Sequence, residues 1–318
     1  MGFSLLARLI APYTRREWPG TWRLLRWLNV TNPDTDPAWS GGSESIVRGK
    51  WHGYRMVLDP CDWMDRSAYF LARYYDVSTQ LAMMQLVEPN DRVVDIGANH
   101  GMLTLLAAAC VGPNGSVEAF EPHPGCVERI QRQIELNGIR HVRLHEAALS
   151  NKTTRATLHF APRHAGYSTL TFPEGEAAST LTHAVEVNLI RGDDALLSDP
   201  APVRLIKMDV EGHEPRAIEG LSQIIRRDRP AILCEINPCC LRSAGSSPED
   251  ITRVLVAHGY RGYVLSERRQ RLITSPLDLD EQPTRTIDSL WLHPGSVAER
   301  RFHPVMPVTQ VARRRKAA

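Results

Sequence analysis

The sequence predicts an α/β fold in which a mostly parallel sheet is covered by helices on both faces. Three observations lead there. The run VVDIGANHG at residues 93–101 passes from β-branched residues through a two-glycine turn into the Ala-rich apolar segment MLTLLAAAC. That order reads as buried strand, tight turn and helix. Downstream, short apolar runs alternate with helical stretches of about 10–15 residues, the signature of repeated strand–helix–strand units. Finally, nearly every predicted strand in that region ends on an acidic residue, more charge at one edge than packing requires.

Composition sets the outer bounds. A chain of 318 residues can hold one large α/β domain with an appended segment, or two small domains, and 42% hydrophobic with 23% charged residues is ordinary for a globular protein. The net charge of +2 gives no global pull toward nucleic acid, and none is expected as a partner. The six cysteines form no C-x-x-C pair and match no zinc spacing, so they read as reduced thiols in a cytoplasmic protein. No apolar run approaches the roughly 20 residues that span a bilayer. The start, MGFSLLARLI, is interrupted by Arg8 too early for a signal peptide. Residues 3–29 place Trp18, Trp22 and Trp27 between arginines, which suits a docked amphipathic helix or a partner-binding segment, the preferred reading, or else a weak peripheral contact with a membrane.

The elements follow in order. Residues 1–44 form an amphipathic segment and a turn-rich linker, TNPDTDPAWSGGSE. Residues 45–90 hold a hairpin, SIVRGKW and YRMVLD joined around His52-Gly53, and then helical spacing through RSAYFLARYYDVSTQLAMMQLV. The main domain, residues 91–295, opens with VVDIG and its helix, then SVEAFEP, the amphipathic helix CVERIQRQIELNG and the strand HVRLHEAAL. RATLHF and HAVEVNLI read as strands of an insertion separated by a polar loop around Gly166. VRLIKMDVEG is the fourth core strand, EPRAIEGLSQII a helix with proline in its first turn, and PAILCEIN the fifth strand. SPEDITRVLVAHG is a helix opened by Ser247-x-x-Asp250, and YRGYVLSE and TIDSLWLHP close the sheet. Residues 296–318 make a tail ending in Arg313, Arg314, Arg315 and Lys316, expected to be solvated.

In such a sheet, ligands bind beyond the carboxyl ends of the strands where the strand order reverses. The strand-end residues then form one rim: Asp95 and Gly97, Glu121, Glu146 and Ala147, Asp209 and Glu211, Glu235 and Asn237. The turn Gly97-Ala98-Asn99-His100-Gly101 has Asn99 where a dinucleotide fingerprint needs its second glycine, so it suits a cofactor without a pyrophosphate. Glu121 lies 24 residues after Gly97, near the offset at which an acid receives ribose hydroxyls; the plain alternative is a cap for the next helix. Asp95 either holds a cationic cofactor group or orders the turn. Lys207 to Glu214 concentrates ionisable groups at a strand end, inviting general-base or metal chemistry. Asp209 with Glu235 and Asn237 offers hard oxygens of the kind Mg²⁺ takes, while His213 and Glu214 suit helix capping equally well.

At these residues the chain resembles the FkbM family of S-adenosylmethionine-dependent methyltransferases. The matching pieces are VVDIGANHG, AFEPHP, HEAALSN with GYSTL, LIKMDVEGHE, PAILCEIN and the lead-in RSAYFLARYY, over roughly residues 45–295. The resemblance implies a Rossmann-like class I methyltransferase fold with a seven-stranded sheet. It also implies methyl transfer, usually to a hydroxyl of a sugar, glycan or polyketide-type small molecule. S-adenosylmethionine would be held by Asp95, Gly97, Ala98, Asn99, Gly101, Glu121, Pro122, Glu146 and Ala147. No dedicated metal ligand is assigned, and Mg²⁺ stays open. An alcohol is a poor nucleophile, so a base or a metal must activate it; Asp209, Glu211 and His213 are the candidates. Ser168 and Tyr167 in the insertion would reach substrate or cofactor, or merely cover the sheet edge. His100 and Tyr75 depart from the family's pattern. Two rival readings are a nicotinamide-dependent oxidoreductase, for which no Y-x-x-x-K occurs, and a methyltransferase fold retired to binding.

Overall fold

The computed structural model describes residues 3–32, 39, 43–161, 164–171, 181–268, 271–278 and 283–303. The expected basic cluster Arg313–Lys316 and most of the 31–44 linker lie outside these residues.

Strands are numbered along the chain: β1 Ser45–Arg48, β2 Arg55–Leu58, β3 Arg92–Ile96, β4 Ser116–Phe120, β5 Val142–His145, β6 Ala148–Ser150, β7 Thr154–Ala161, β8 His164–Thr169, β9 His183–Arg191, β10 Val203–Met208, β11 Ala231–Ile236, β12 Arg261–Arg268, β13 Arg271–Pro276 and β14 Ile287–Leu292. The main sheet has the order β13-β12-β14-β11-β10-β3-β4-β5. Strands β5, β4, β3, β10 and β11 are parallel, and β14 runs against them. The order reverses between β3 and β10. All seven expected core strands are in this sheet; β13 adds an eighth as the hairpin partner of β12.

Every residue of β3 is buried, as a strand covered on both faces must be. Its side chains alternate between two cores. Val93 joins Leu205, Leu233 and the helices Val77–Leu86 and Met102–Val111 on one face. Val94 joins Ile206, Ile232 and the helices Glu214–Gly220, Ser222–Asp228 and Pro248–Ala257 on the other.

Three segments differ from their sequence reading. HVRLHEAAL is two strands: the Ala147 N–H turns back to the His145 carbonyl at 2.8 Å, which breaks the extended line and sends β6 into a second sheet, β6-β9-β7-β8. Gly166 lies within strand β8 of that sheet rather than in a polar loop. The stretch from Arg66 onward is also broken. A helix Trp63–Leu71 ends at Ala72 in the left-handed region, and a second helix starts after Asp76, whose carboxylate accepts the Thr79 N–H at 3.1 Å. The break carries Tyr74 and Tyr75.

The N-terminal helices, Phe3–Arg15 and Thr21–Trp27, are pinned to helix Trp63–Leu71 by Arg66. Its fully buried guanidinium donates to the carbonyls of Val30 (2.8 Å), Asn32 (2.9 Å) and Pro60 (3.1 Å) and lies over the Trp39 ring. Removing these donors orphans the buried Val30 carbonyl at about 1–3 kcal/mol and strips the half-buried Asn32 and Pro60 carbonyls of a partner. Arg66→Met is therefore expected to lower the thermal midpoint and to open residues 3–32 to limited proteolysis ahead of the main sheet; unchanged cleavage kinetics would show that the extension is held elsewhere.

Candidate active site

A cavity of about 250 Å³ opens beyond the carboxyl ends of β3, β4, β10 and β11, where the strand order reverses. One side is the glycine turn. Gly97 has φ +73°, and a Cβ there would stand 1.9 Å from the Asp209 carbonyl oxygen, so only glycine lets the ends of β3 and β10 close on each other. The N–H groups of Gly97 and Ala98 both go to the Phe120 carbonyl, at 3.0 and 3.1 Å. Asn99, also left-handed at φ +51°, donates its N–H to Glu121 Oε2 at 2.7 Å. Gly101 opens helix Met102–Val111.

Glu121 accepts a second N–H, that of His123, on Oε1 at 2.8 Å. Each carboxylate oxygen thus keeps a lone pair, and the residue lines the cavity. Burial pushes its pKa up against these two N–H bonds.

Beneath the turn lies Asp95, fully buried. Its Oδ2 accepts the Thr104 hydroxyl at 2.6 Å, and its Oδ1 has no hydrogen bond but faces the Lys207 ammonium at 3.6 Å. Lys207 Nζ donates to the Gly97 carbonyl at 2.7 Å and stands 4.0 Å from Asp209 Oδ2. Burial alone would lower the pKa of this ammonium, but Asp95, Asp209 and Glu121 outweigh it and hold the group charged.

The far side of the cavity is acidic. Oxygens of Asp209, Glu211 and Glu235 lie within 4.8 Å of one another. Burial and the neighbouring Asp209 charge push Glu211 up to about 8 and Glu235 up to about 10. Behind them Asp288, raised to about 7 by burial and Asp76, accepts the Ser78 hydroxyl at 3.4 Å. Glu211 itself sits at φ +51° and accepts the Cys240 thiol at 3.0 Å. His213 is buried with Nε2 3.0 Å from Ser150 Oγ, and burial and Arg216 push its pKa down to about 4, leaving a neutral ring. Glu214 accepts the N–H groups of Val210 (3.1 Å) and Gly212 (3.3 Å), so it braces the loop rather than facing the cavity.

Of the residues expected from sequence, the fold brings Gly97, Asn99, Glu121, Pro122, Asp209, Glu211 and His213 to one cavity, with Glu235, Asn237 and Ser168. Asp95, Ala98 and Gly101 lie beneath or beside it as parts of the turn. Glu146 is exposed, and neither it nor Ala147 reaches the wall; Ala148 and Leu149 do, because the chain reverses at Ala147. The Tyr167 side chain lies outside the described residues. His100 is buried behind the turn, with Nδ1 at 2.9 Å from Asp65 Oδ1 in an ion cluster that includes Arg129. The sequence reading missed an aromatic wall: Trp63, Tyr74 and Tyr75 line the cavity, the Tyr75 ring 4.9 Å from Trp63 and 4.4 Å from Tyr74. Its only trace in the sequence is the lead-in RSAYFLARYY; no spacing rule ties it to a strand end about 130 residues away.

Residues 95–261 match the protein family described as "Methyltransferase FkbM domain". Methyltransferase 1 of Beauveria bassiana is 32% identical over 168 residues, 48% of this chain and 64% of that protein. Hexuronic acid methyltransferase AglP of Haloferax volcanii is 25% identical over 185 residues, 54% of this chain and 64% of that protein. The chain thus spans just under two thirds of the length of each of these relatives. The crystal structure of methyltransferase FkbM from Methylobacillus flagellatus aligns with a TM-score of 0.41 at 13% identity, over 82% of this chain and 58% of that one. No helix among the described residues is long and apolar enough to cross a membrane.

The raised acids carry a stability cost with a definite sign. In the folded chain Glu214 keeps its proton up to about pH 7 and Glu211 up to about 8, whereas an ordinary glutamate releases it near 4.5. Their contribution is whole below about pH 4.5 and is lost as pH climbs through those values. The urea midpoint should fall between pH 5 and 8.5. Glu214→Gln should flatten that fall by on the order of 3 kcal/mol at most; an unaltered slope would place the linked protons on other groups.

Proposed function

The chain belongs to the FkbM methyltransferase family, and on that premise we propose that it transfers a methyl group from S-adenosylmethionine to a hydroxyl oxygen of a sugar or glycan. One observation carries this reading: a single cavity joins a carboxylate with a lone pair left on each oxygen, Glu121, to an aromatic wall and to an acid, Glu211, raised close to neutral pH.

The residues present suit the cofactor. Glu121 has one lone pair left on each oxygen, matching the two hydroxyls of a ribose, and its charge would repel a 2′-phosphate. Phe120, Pro122 and Leu149 supply apolar surface for a flat base. The Gly97 turn brings backbone to the cavity with no side chain in between. When bound, S-adenosylmethionine supplies a methyl group activated by the adjoining sulfonium.

The chain's own residues have two tasks. Trp63, Tyr74 and Tyr75 offer ring faces against which the C–H face of a sugar can lie, and Asn237 and the carboxylates offer partners for its hydroxyls. Positioning an acceptor oxygen in line with the methyl carbon accounts for much of the rate. Glu211 then accepts the hydroxyl proton, assisted by Asp209; an acid of pKa about 8 is well matched to that task near neutral pH. His213, held down at about 4, is a weaker base. The acidic side of the cavity favours a neutral or amino-bearing acceptor over an anionic one. The name of the Haloferax volcanii relative supports a sugar acceptor in general, though the anionic sugar it specifies suits this cavity less well.

Calorimetry should show S-adenosylmethionine binding and no NAD binding, and Glu121→Ala should weaken the former by at least about 30-fold, or about 2 kcal/mol. Equal affinity would remove the ribose role. With a sugar acceptor, kcat/KM should rise with pH toward a plateau above about 8, as Glu211 loses its proton. Glu211→Gln should retain cofactor binding and lose about 100-fold or more in kcat. A reaction abolished by chelator and restored by Mg²⁺ would instead assign the Asp209–Glu211–Glu235 group to a divalent cation.

A further inference from the structure

We propose that the outer face of the N-terminal helices is a docking surface for an anionic lipid bilayer. Its inner face is already committed. Ala7 and Ala11 pack with Leu25 and Val30 against Phe70 and Leu71, and the Thr14 hydroxyl donates to the Phe70 carbonyl at 2.7 Å. Arg15 donates to the Tyr69 carbonyl at 3.1 Å. The extension is therefore fixed on the domain, and what remains on its outside is a surface rather than a loose tail.

That outside is apolar and basic together. Among the described residues, five of the eight exposed large hydrophobic side chains are here: Leu6, Leu9, Trp18, Trp22 and Trp27. Leu9 is 70% exposed and Trp27 72%, values that folding alone does not explain. Arg8, Arg16, Arg23 and Arg26 are exposed among them. The one acid in residues 3–32, Glu17, is turned inward to Arg73, at 2.8 and 3.0 Å, and to Lys50. The face thus presents positive charge with no counter-charge from its own segment.

Tryptophan rings settle at the boundary between headgroups and acyl chains, and arginines beside them meet anionic headgroups. A second copy of this chain fits poorly, because a two-fold interface would set the same arginines against each other. The surface is also joined to the candidate active site. Helix Trp63–Leu71, on which the extension rests, begins with Trp63 and Met64 in the cavity wall. The lipid inference does not depend on the methyl-transfer reading.

The full chain should co-sediment with vesicles of phosphatidylcholine containing phosphatidylglycerol, be released by salt, and stay in the supernatant with phosphatidylcholine alone. Brominated lipid in those vesicles should quench tryptophan fluorescence in the unmodified protein. The pairs Leu9→Ser with Trp27→Ser, and Arg23→Glu with Arg26→Glu, should each reduce partitioning by roughly tenfold or more with an unchanged thermal midpoint. Quenching settles the matter if either pair fails to fold. The proposal is overturned by native protein that remains in the supernatant, by absent quenching, or by folded variants that bind as the native chain does. It is equally overturned if the native chain is a dimer that these variants dissociate.

Discussion

The ammonium of Lys207 is the cation around which the sheet's binding edge is organised. It lies between the adjacent ends of β3 and β10, where Lys207 and Asp95 are register partners, and it donates to the Gly97 carbonyl. Two requirements meet at this point. The strand ends must approach closely enough that a Cβ on Gly97 would collide with the Asp209 carbonyl, and the carboxylates brought together by that approach must be compensated. One buried positive charge within 4.0 Å of both Asp95 and Asp209 serves both ends. Replacing it with an apolar group would leave those acids without a counter-charge, and the turn would lose the hydrogen bond to the Gly97 carbonyl.

The compensation is partial, and the chemistry proposed for the site follows from that. Lys207 balances the carboxylates nearest to it, but Glu211, Glu235 and Asp288 are crowded behind Asp209 with burial working against their charge. Like charges so close cannot all be ionised, so the group retains protons at neutral pH. A set of acids that shares protons can give one up or take one back with little rearrangement. Glu121 differs in kind. It is also buried and also raised, but two backbone N–H groups orient it, and it stands on the other side of the glycine turn. On the methyl-transfer reading, the separation of an oriented carboxylate from a proton-sharing group would give the cavity a holding end and a reacting end.

The main sheet was legible in the sequence because its strands are short apolar runs bounded by glycine, proline and acid, and because β3, β4, β10 and β11 are each followed by a helix. The strand-end rule then located Gly97, Glu121, Asp209 and Glu211 in one place without any contact information. What it could not supply were contacts set by tertiary packing. Ala147 turns back on His145 through one backbone hydrogen bond, which displaced the wall from Glu146 and Ala147 to Ala148 and Leu149. The aromatic wall arises because Ala72 takes a left-handed conformation and Asp76 restarts the helix, so that Tyr74 and Tyr75 swing to the cavity. Ala72 does not announce that break, because alanine is a good helix former and the apolar spacing on both sides continues; only Asp76, a residue type that caps helices, marks the restart.

That same break explains why the N-terminal extension bears on the site at all. The segment from Trp63 to Tyr75 has two faces with separate obligations. Trp63, Met64, Tyr74 and Tyr75 face the cavity, while Phe70 and Leu71 carry the first two helices, and Arg73 anchors Glu17 from them. Asp65, on the same helix, is tied by His100 and Arg129 to the rear of the glycine turn and to helix Pro124–Asn137. A change in how the extension is seated would therefore be felt by the aromatic wall through a short, closely packed helix rather than through a flexible linker. Packed interiors yield little to compression and transmit displacement, so a surface that orients the extension also bears on the aromatic wall proposed to receive the acceptor.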